Sequence, residues 1–281
     1  MNKTTQFVIR RFKSNPILLI LVLFAVVSIF FAPNFRTLYN LRTILLQSCV
    51  LGIVAMGVMF VVLNGGIDFS CTSVIALSSV IGASIMTSEG GLLHGSPFAI
   101  PVAILLMMLI GLGFGIVNGI SVTLFKMPSF IVTLAMMMIG SGLAVWYTDA
   151  ETIYALPESF LVIGNGTVIG IPIPVLFLVV VFIIAAFILT KTRLGRLIYL
   201  IGTNHKAAYI SGLPVKKTIF LLFIISGLLS GIGSIVMTAR LQTGAPGHGS
   251  NMFLDIIASI IIGGASLYGG KGKASGTLLG A

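Results

Sequence analysis

Apolar runs of about twenty residues recur along almost the whole chain, and each matches the helix needed to cross a hydrocarbon core roughly 30 Å thick. ILLILVLFAVVSIFF (17–31) and VLFLVVVFIIAAFIL (175–189) are apolar on every face. The strands of a membrane barrel would instead alternate apolar and polar residues over about ten positions. With 57% of residues hydrophobic and only 8% charged, the apolar surface exceeds what one soluble core could bury. The fold expected is an all-α, polytopic transmembrane helical bundle.

Spans are expected near 16–32, 43–63, 68–87, 98–125, 129–147, 172–190, 217–239 and 252–268. A ninth begins around Ser275 and stops with the chain, so eight to nine spans are visible. The organisation is a basic N-terminus (1–15) followed by one membrane domain (16–281). The N-terminal apolar run lacks a small-x-small cleavage pattern and is taken as an uncleaved first span.

The distribution of charge tests both the span list and its orientation. With the N-terminus in the cytoplasm, Lys3, Arg10, Arg11, Lys13, Lys126, Lys191, Arg193, Arg196, Lys206, Lys216, Lys217, Lys271 and Lys273 fall inside, thirteen of the sixteen Lys and Arg residues. Arg36, Arg42 and Arg240 fall outside, together with Glu89, Asp149, Glu151 and Glu158. This is the bias that membrane insertion imposes. It also accounts for the formal charge of +10 by orientation, with no nucleic acid required. Two loops are large: an acidic external one at 148–171 and a basic internal one at 191–216.

No energy source is visible in the chain. GGKGKAS (269–275) superficially resembles a phosphate loop, but Lys273 is followed by Ala274, and Leu267 stands where the leading glycine would be. No ionisable residue is placed at depth within a span, as ion coupling would require. His94, His205 and His248 are widely spaced in different loops, so neither a metal site nor a catalytic pair is indicated. Cys49 and Cys71 read as small packing residues. No catalytic residue, metal or cofactor is therefore expected. Asn165-Gly166-Thr167 and Asn2-Lys3-Thr4 spell glycosylation acceptors, to which no function is attached.

The internal loop is the remaining feature. Asn204 can cap a short helix running through His205, Ala207 and Ala208 to Ser211, with Gly212 and Pro214 ending it. A small Ala-Ala face can fit closely into a partner's groove. The plain alternative is an interfacial helix with lysines among headgroups.

Four stretches resemble a known family: NGGIDFSCTSVIALSS, GFGIVNGISVTLFKMPSFIVTLAMMMIGSGLA, TRLGRLIYLIGTNHKAAYISGL and DIIASIIIGGASLYGGKGKASGTLLGA. In order and spacing, the region from about residue 40 onward resembles the membrane permeases of bacterial ribose-type ATP-binding cassette importers. The resemblance implies that the chain is a pore in the bacterial inner membrane. It further implies that a separate ATP-binding subunit docks on the internal loop, that an extracytoplasmic binding protein delivers a monosaccharide, and that a second permease chain, identical or related, completes the path. Gly195, Arg196, Tyr199, Gly202, Asn204, Ala207, Ala208, Ser211 and Gly212 match the family's coupling pattern. Lys206 stands where the family usually has an acid, and Pro214 is unusual. Full-length relatives have about ten spans by this resemblance, so the sequence is either truncated or lacks the closing helices.

Alternating access is the mechanism implied, with a neutral sugar met by neutral hydrogen-bonding groups. Asn64, Ser70, Asn118 and Thr133 are the pathway candidates, with helix packing as the alternative for each. Gly111, Gly113, Gly115 and Gly119 are expected to allow close helix approach, and Trp146 and Tyr147 to lie in the outer aromatic belt. Asp68, in LNGGIDFSCTS, joins the candidates: the parity of the spans puts it near the cytoplasmic interface, capping a helix that starts at Phe69 or gating the path. The rival readings are a self-sufficient ion-coupled carrier or channel and an intramembrane enzyme.

Overall fold

The computed structural model describes residues 16–32 and 35–281. The expected basic N-terminus, with Lys3, Arg10, Arg11, Lys13 and the Asn2 triplet, lies outside the described residues. The chain divides into two units, one up to Gln47 and one from Ser48 to Ala281. The helices are α1 (Pro16–Phe31), α2 (Leu38–Val62), α3 (Cys71–Met86), α4 (Ala99–Thr123), α5 (Ser129–Thr148), α6 (Glu158–Asn165), α7 (Ile173–Lys191), α8 (Arg193–Thr203), α9 (His205–Ile210), α10 (Val215–Leu241), α11 (Met252–Ile262) and α12 (Ala274–Gly280).

Proline marks where several of these helices begin. Pro128, Pro157, Pro172 and Pro214 sit at the N-cap of α5, α6, α7 and α10, where a missing N–H removes no intrahelical bond. At the other end, Asp149 and Gln242 close α5 and α10 in the left-handed conformation.

Among the described residues, five helices, α2, α4, α5, α7 and α10, are long and apolar enough to cross a membrane. Two of the other expected spans coincide with shorter apolar helices. The span placed at 68–87 is a 16-residue helix starting at Cys71, and the one placed at 252–268 is an 11-residue helix ending at Ile262. Both start inside the bundle. Gly249 lies against the Thr72 carbonyl and Ile75 near the beginning of α3, and the rings of Phe69 and Phe253 stack with centroids 4.1 Å apart. The connection 242–251 therefore runs back into the bundle from the C-terminal end of α10. From there α11, about 16 Å long at 1.5 Å per residue, covers the distance to the opposite end.

α4 and α10 form the central pair, and glycine lets them touch. A Cβ on Gly111 would collide with the Gly227 carbonyl, on Gly115 with the Phe223 backbone, and on Gly119 with Phe220. The i, i+4, i+8 spacing puts these three on one face. Gly113 has nothing within 4 Å, so it takes no part in this contact. α2 supplies the largest single share of the main core, with Cys49 through Val62 largely buried against α7 and α10.

The loop at 148–171 contains a short helix and a hairpin. α6 packs Gly164 against the Ala239–Arg240 backbone, and Asn165 Nδ2 donates to the Ala239 carbonyl at 3.0 Å. A hairpin follows, β1 (Thr167–Val168) with β2 (Ile171–Pro172), turned by Ile169 and Gly170 at positive φ.

Candidate translocation site

The segment 63–70 interrupts the helical structure inside the bundle, so its backbone groups need partners that no helix supplies. Gly65, at φ 75°, lets α2 close on itself, with the Gly65 N–H donating to the Val62 carbonyl at 2.9 Å and the Gly66 N–H to Val61 at 3.1 Å. α5 satisfies Ile67: Ser129 Oγ accepts from its N–H at 3.3 Å, and Thr133 Oγ1 donates to its carbonyl at 3.1 Å.

Asp68 carries the rest of the break. One carboxylate oxygen accepts from the Ser70 N–H at 3.0 Å and the Ser70 hydroxyl at 2.6 Å; the other accepts from the Ser226 hydroxyl of α10 at 2.7 Å. Asn118 of α4 donates to Ser70 Oγ at 2.8 Å. Asp68 thus ties α3, α4 and α10 together. Two expectations change. The helix starts at Cys71, with Ser70 at its N-cap, so Asp68 holds the N-cap residue and not the first turn of a helix from Phe69. Its depth is also greater than expected, because Ser226 lies roughly 16 Å along α10 from Val215. Asp68 is thus an ionisable side chain buried within the helical bundle.

The structure brings Asp68, Ser70 and Asn118 into one network and Thr133 onto the adjoining backbone. Asn64 stands apart: its carbonyl bonds His205 Nε2 at 2.7 Å, and its side chain borders a pocket of about 120 Å³ shared with Ser129 and His205. All five candidates are buried. Two retain a buried polar atom without a partner among the described residues, Nδ2 of Asn64 and Oδ1 of Asn118.

The basic loop folds as α8 and α9 against the same end of the bundle. Asn204 accepts from the Ala207 N–H at 2.9 Å and Gly212 has φ 72°, giving the predicted short capped helix. The Gly270 N–H donates to the Leu63 carbonyl at 2.8 Å, and the Tyr199 hydroxyl donates to the Gly272 carbonyl at 2.9 Å. Burial raises the Tyr199 phenol above its ordinary pKa, which keeps it a donor.

The nine coupling residues divide accordingly. Gly195, Gly202 and Ala208 are buried and Tyr199 is half-buried, whereas Arg196, Asn204, Ala207, Ser211 and Gly212 are exposed. Gly202 faces inward, its Cα against the Leu63 carbonyl and the Gly270 backbone. Sequence reasoning missed Tyr209 and Ile210, which are 70% and 75% exposed beside Ala207. The available signal was an apolar pair within a short helix whose buried position is Ala208.

His248 sits between Ser79, at 2.9 Å, and Thr243, at 3.4 Å, away from the end where His205 meets Asn64. Among the described residues, no group of three or more His, Cys, Asp or Glu could hold a metal. Cys49 and Cys71 are both buried and unbridged.

The described residues thus combine a helical bundle, a hydrogen-bonded break within it and a folded basic loop at one end. A family model described as the permease component of the branched-chain amino acid transport system matches residues 40–281. A ribose import permease protein of Haemophilus influenzae is 37% identical over 286 residues, covering 100% of this chain and 86% of the relative. A ribose import permease protein of Bacillus subtilis is 39% identical over 271 residues, 95% and 81% of the two chains. A D-allose transport system permease protein of Escherichia coli is 37% identical over 246 residues, 88% and 73%. No solved structure matches the chain. The chain belongs to this permease family and is a multi-pass membrane protein.

Proposed function

We propose that this chain is the pore-forming permease subunit of an ATP-binding cassette importer and carries a monosaccharide across the inner membrane by alternating access. The observation that carries the reading is the near full-length likeness to permeases whose names specify ribose, arabinose and allose. ATP hydrolysis falls to a separate cytoplasmic subunit, a binding protein delivers the sugar from outside, and a second permease chain, identical or related, completes the path. The N-terminus lies in the cytoplasm, with the basic loop on the same side.

The exposed residues of α8 and α9 form the docking surface for the ATP-binding subunit: Arg196, Asn204, Ala207, Ser211 and Gly212, together with Tyr209 and Ile210. Gly195, Tyr199, Gly202 and Ala208 seat that surface on the bundle, so movement of the docked subunit reaches the end of α2 and the break at 63–70. Asp68, Ser70 and Thr133 are fully engaged in holding this break, which makes them the hinge of the path. Asn64 and Asn118 keep hydrogen-bonding capacity for cargo or water.

The test compares Ala207→Trp and Tyr209→Ala with wild type for co-purification of the ATP-binding subunit and for ATP-dependent uptake. Both variants should insert normally and lose most of the association, a fall of roughly tenfold or more, which corresponds to about 1.4 kcal/mol of interface energy. Unchanged association and transport would remove the docking assignment. Uptake driven by an ion gradient through this chain alone would overturn the whole reading.

A further inference from the structure

A carboxylate the sequence reading did not single out lies at membrane depth and faces outward from the unit. Asp255 is in the first turn of α11, two residues after Phe253, whose ring stacks on that of Phe69 beside Asp68. About 12 Å of helix, at 1.5 Å per residue, separates it from the start of the turn at 263–272 that meets Leu63 and Gly202. α3, starting level with Phe69, extends roughly 24 Å toward the other end. Asp255 therefore lies more than two helical turns in from that end of the bundle, inside the length that a hydrocarbon core roughly 30 Å thick would cover. Even so, it is exposed, and among the described residues its carboxylate has no hydrogen-bond or ionic partner.

Asp255 is accompanied by other polar groups. Ser250 and Asn251 are also exposed, directly after Gly249, which packs on Thr72 and Ile75. They belong to a non-helical stretch at depth. Irregular backbone inside a membrane persists only where protein buries it or where it lines a water-filled cavity, and an unpaired charge facing lipid is costly. Ser250 and Asn251 are not buried, and the Asp255 carboxylate is unpaired. Water meets the needs of all three groups.

We propose that Ser250, Asn251 and Asp255 form a hydrophilic stripe on the aqueous cargo path, in which the Asp255 carboxylate accepts hydrogen bonds from neighbouring hydroxyls of a neutral polyhydroxylated cargo. The cargo assignment rests on the monosaccharide reading above; the aqueous lining does not. A carboxylate offers two acceptor oxygens to a vicinal diol, and the adjacent Phe69–Phe253 pair offers an apolar wall to the ring of the same molecule.

The test places single cysteines at Ser250, Asn251 and Asp255 in the full chain, and at Ile183 on the exposed apolar side of α7 as a lipid-facing reference. The assembled transporter is treated with a charged methanethiosulfonate that reacts with hydrated thiolates, and native Cys49 and Cys71, both buried, contribute little background. Ser250→Cys and Asp255→Cys should react at least about tenfold faster than Ile183→Cys, and ribose, arabinose or allose should slow the reaction. Asp255→Asn should raise the KM for the imported sugar with little change in transporter abundance. Lack of reaction at Ser250→Cys, Asn251→Cys and Asp255→Cys in variants that still assemble overturns the stripe. Reaction unaffected by a sugar that the wild type imports overturns the cargo contact. If the wild type imports no monosaccharide, the family-based reading fails, and the comparison with Ile183→Cys still decides the aqueous lining.

Discussion

At the scale of single residues, Asp68 and Ser226 illustrate how a membrane bundle tolerates a break in its helices. Ser226 donates the one hydrogen bond received by the second carboxylate oxygen of Asp68, so Ser226→Ala leaves a buried acceptor unpaired. The expected cost is about 1–3 kcal/mol, read as a lower midpoint of thermal unfolding in detergent. Asp68→Asn keeps one acceptor oxygen for Ser70 and turns an amide toward Ser226, whose hydroxyl can accept from it. It should cost less than Asp68→Leu, which leaves Ser70 and Ser226 both unmatched. Because the two side chains act as a unit, Asp68→Asn combined with Ser226→Ala should depart from additivity by about 0.5 kcal/mol or more. Additive effects would show that the bond contributes little. The sequence made Asp68 conspicuous as a lone acid beside paired glycines, but its partners were not legible. Ser226 lies 158 positions away, and nothing in an apolar run containing several serines marks which one faces the break. Asp255 was legible only as an acid near the edge of an apolar run, and its depth depended on an element boundary that hydropathy did not show.

Among the elements, the α4–α10 contact and the two interrupted helices were read with opposite success. The spacing of Gly111, Gly115 and Gly119 carried the close approach, since residues four apart share a helix face; Gly113 is two positions off that face and was wrongly included with them. Gly115→Val should therefore force α4 from α10 at the Phe223 backbone and lower stability by about 1–3 kcal/mol or more. Gly113→Ala, with open space around it, should be neutral or slightly stabilising because alanine is the better helix former. Paired thermal unfolding curves check both, and equal destabilisation would refute the assigned face. The shortening of α3 and, more strongly, of α11 was not legible, because the apolar runs continue through 68–87 and 252–262. A hydropathy window counts apolar residues without registering where the chain doubles back. Gly247, Gly249 and Pro246 before α11, and Gly65 and Gly66 before α3, were the local signals for these reversals.

For the whole molecule, the contacts divide the connecting segments into two sets. Residues 63–67, 129, 199–205 and 268–272 meet one another through Leu63, Asn64, Ser129, Tyr199, His205 and Gly270. Residues 87–88, 153–155, 164–165, 239–240 and 244 meet through Thr87, Ala155, Asn165 and Gly244. The first set carries Lys126, Arg196, Lys206, Lys216, Lys217, Lys271 and Lys273 on its segments, and the second carries Glu89, Asp149, Glu151 and Glu158. Counting spans along the sequence sorted these segments in the same way even though two of the helices are shorter than a full span. α3 with the preceding break crosses the bundle once, and after α10 the returning loop with α11 crosses back once, so the parity survives. Since basic residues are retained on the cytoplasmic side during insertion, the first set should face the cytoplasm. Ile169, 97% exposed at the hairpin turn, and Ile210, exposed on α9, report on the two ends. In intact spheroplasts, a membrane-impermeant thiol reagent should modify Ile169→Cys and spare Ile210→Cys, with Ile210→Cys becoming reactive once the membrane is opened. The reverse pattern would invert the orientation and move the proposed docking surface to the outside. Equal labelling of both sites in sealed cells would mean that the two sets of segments do not lie on opposite sides of the membrane.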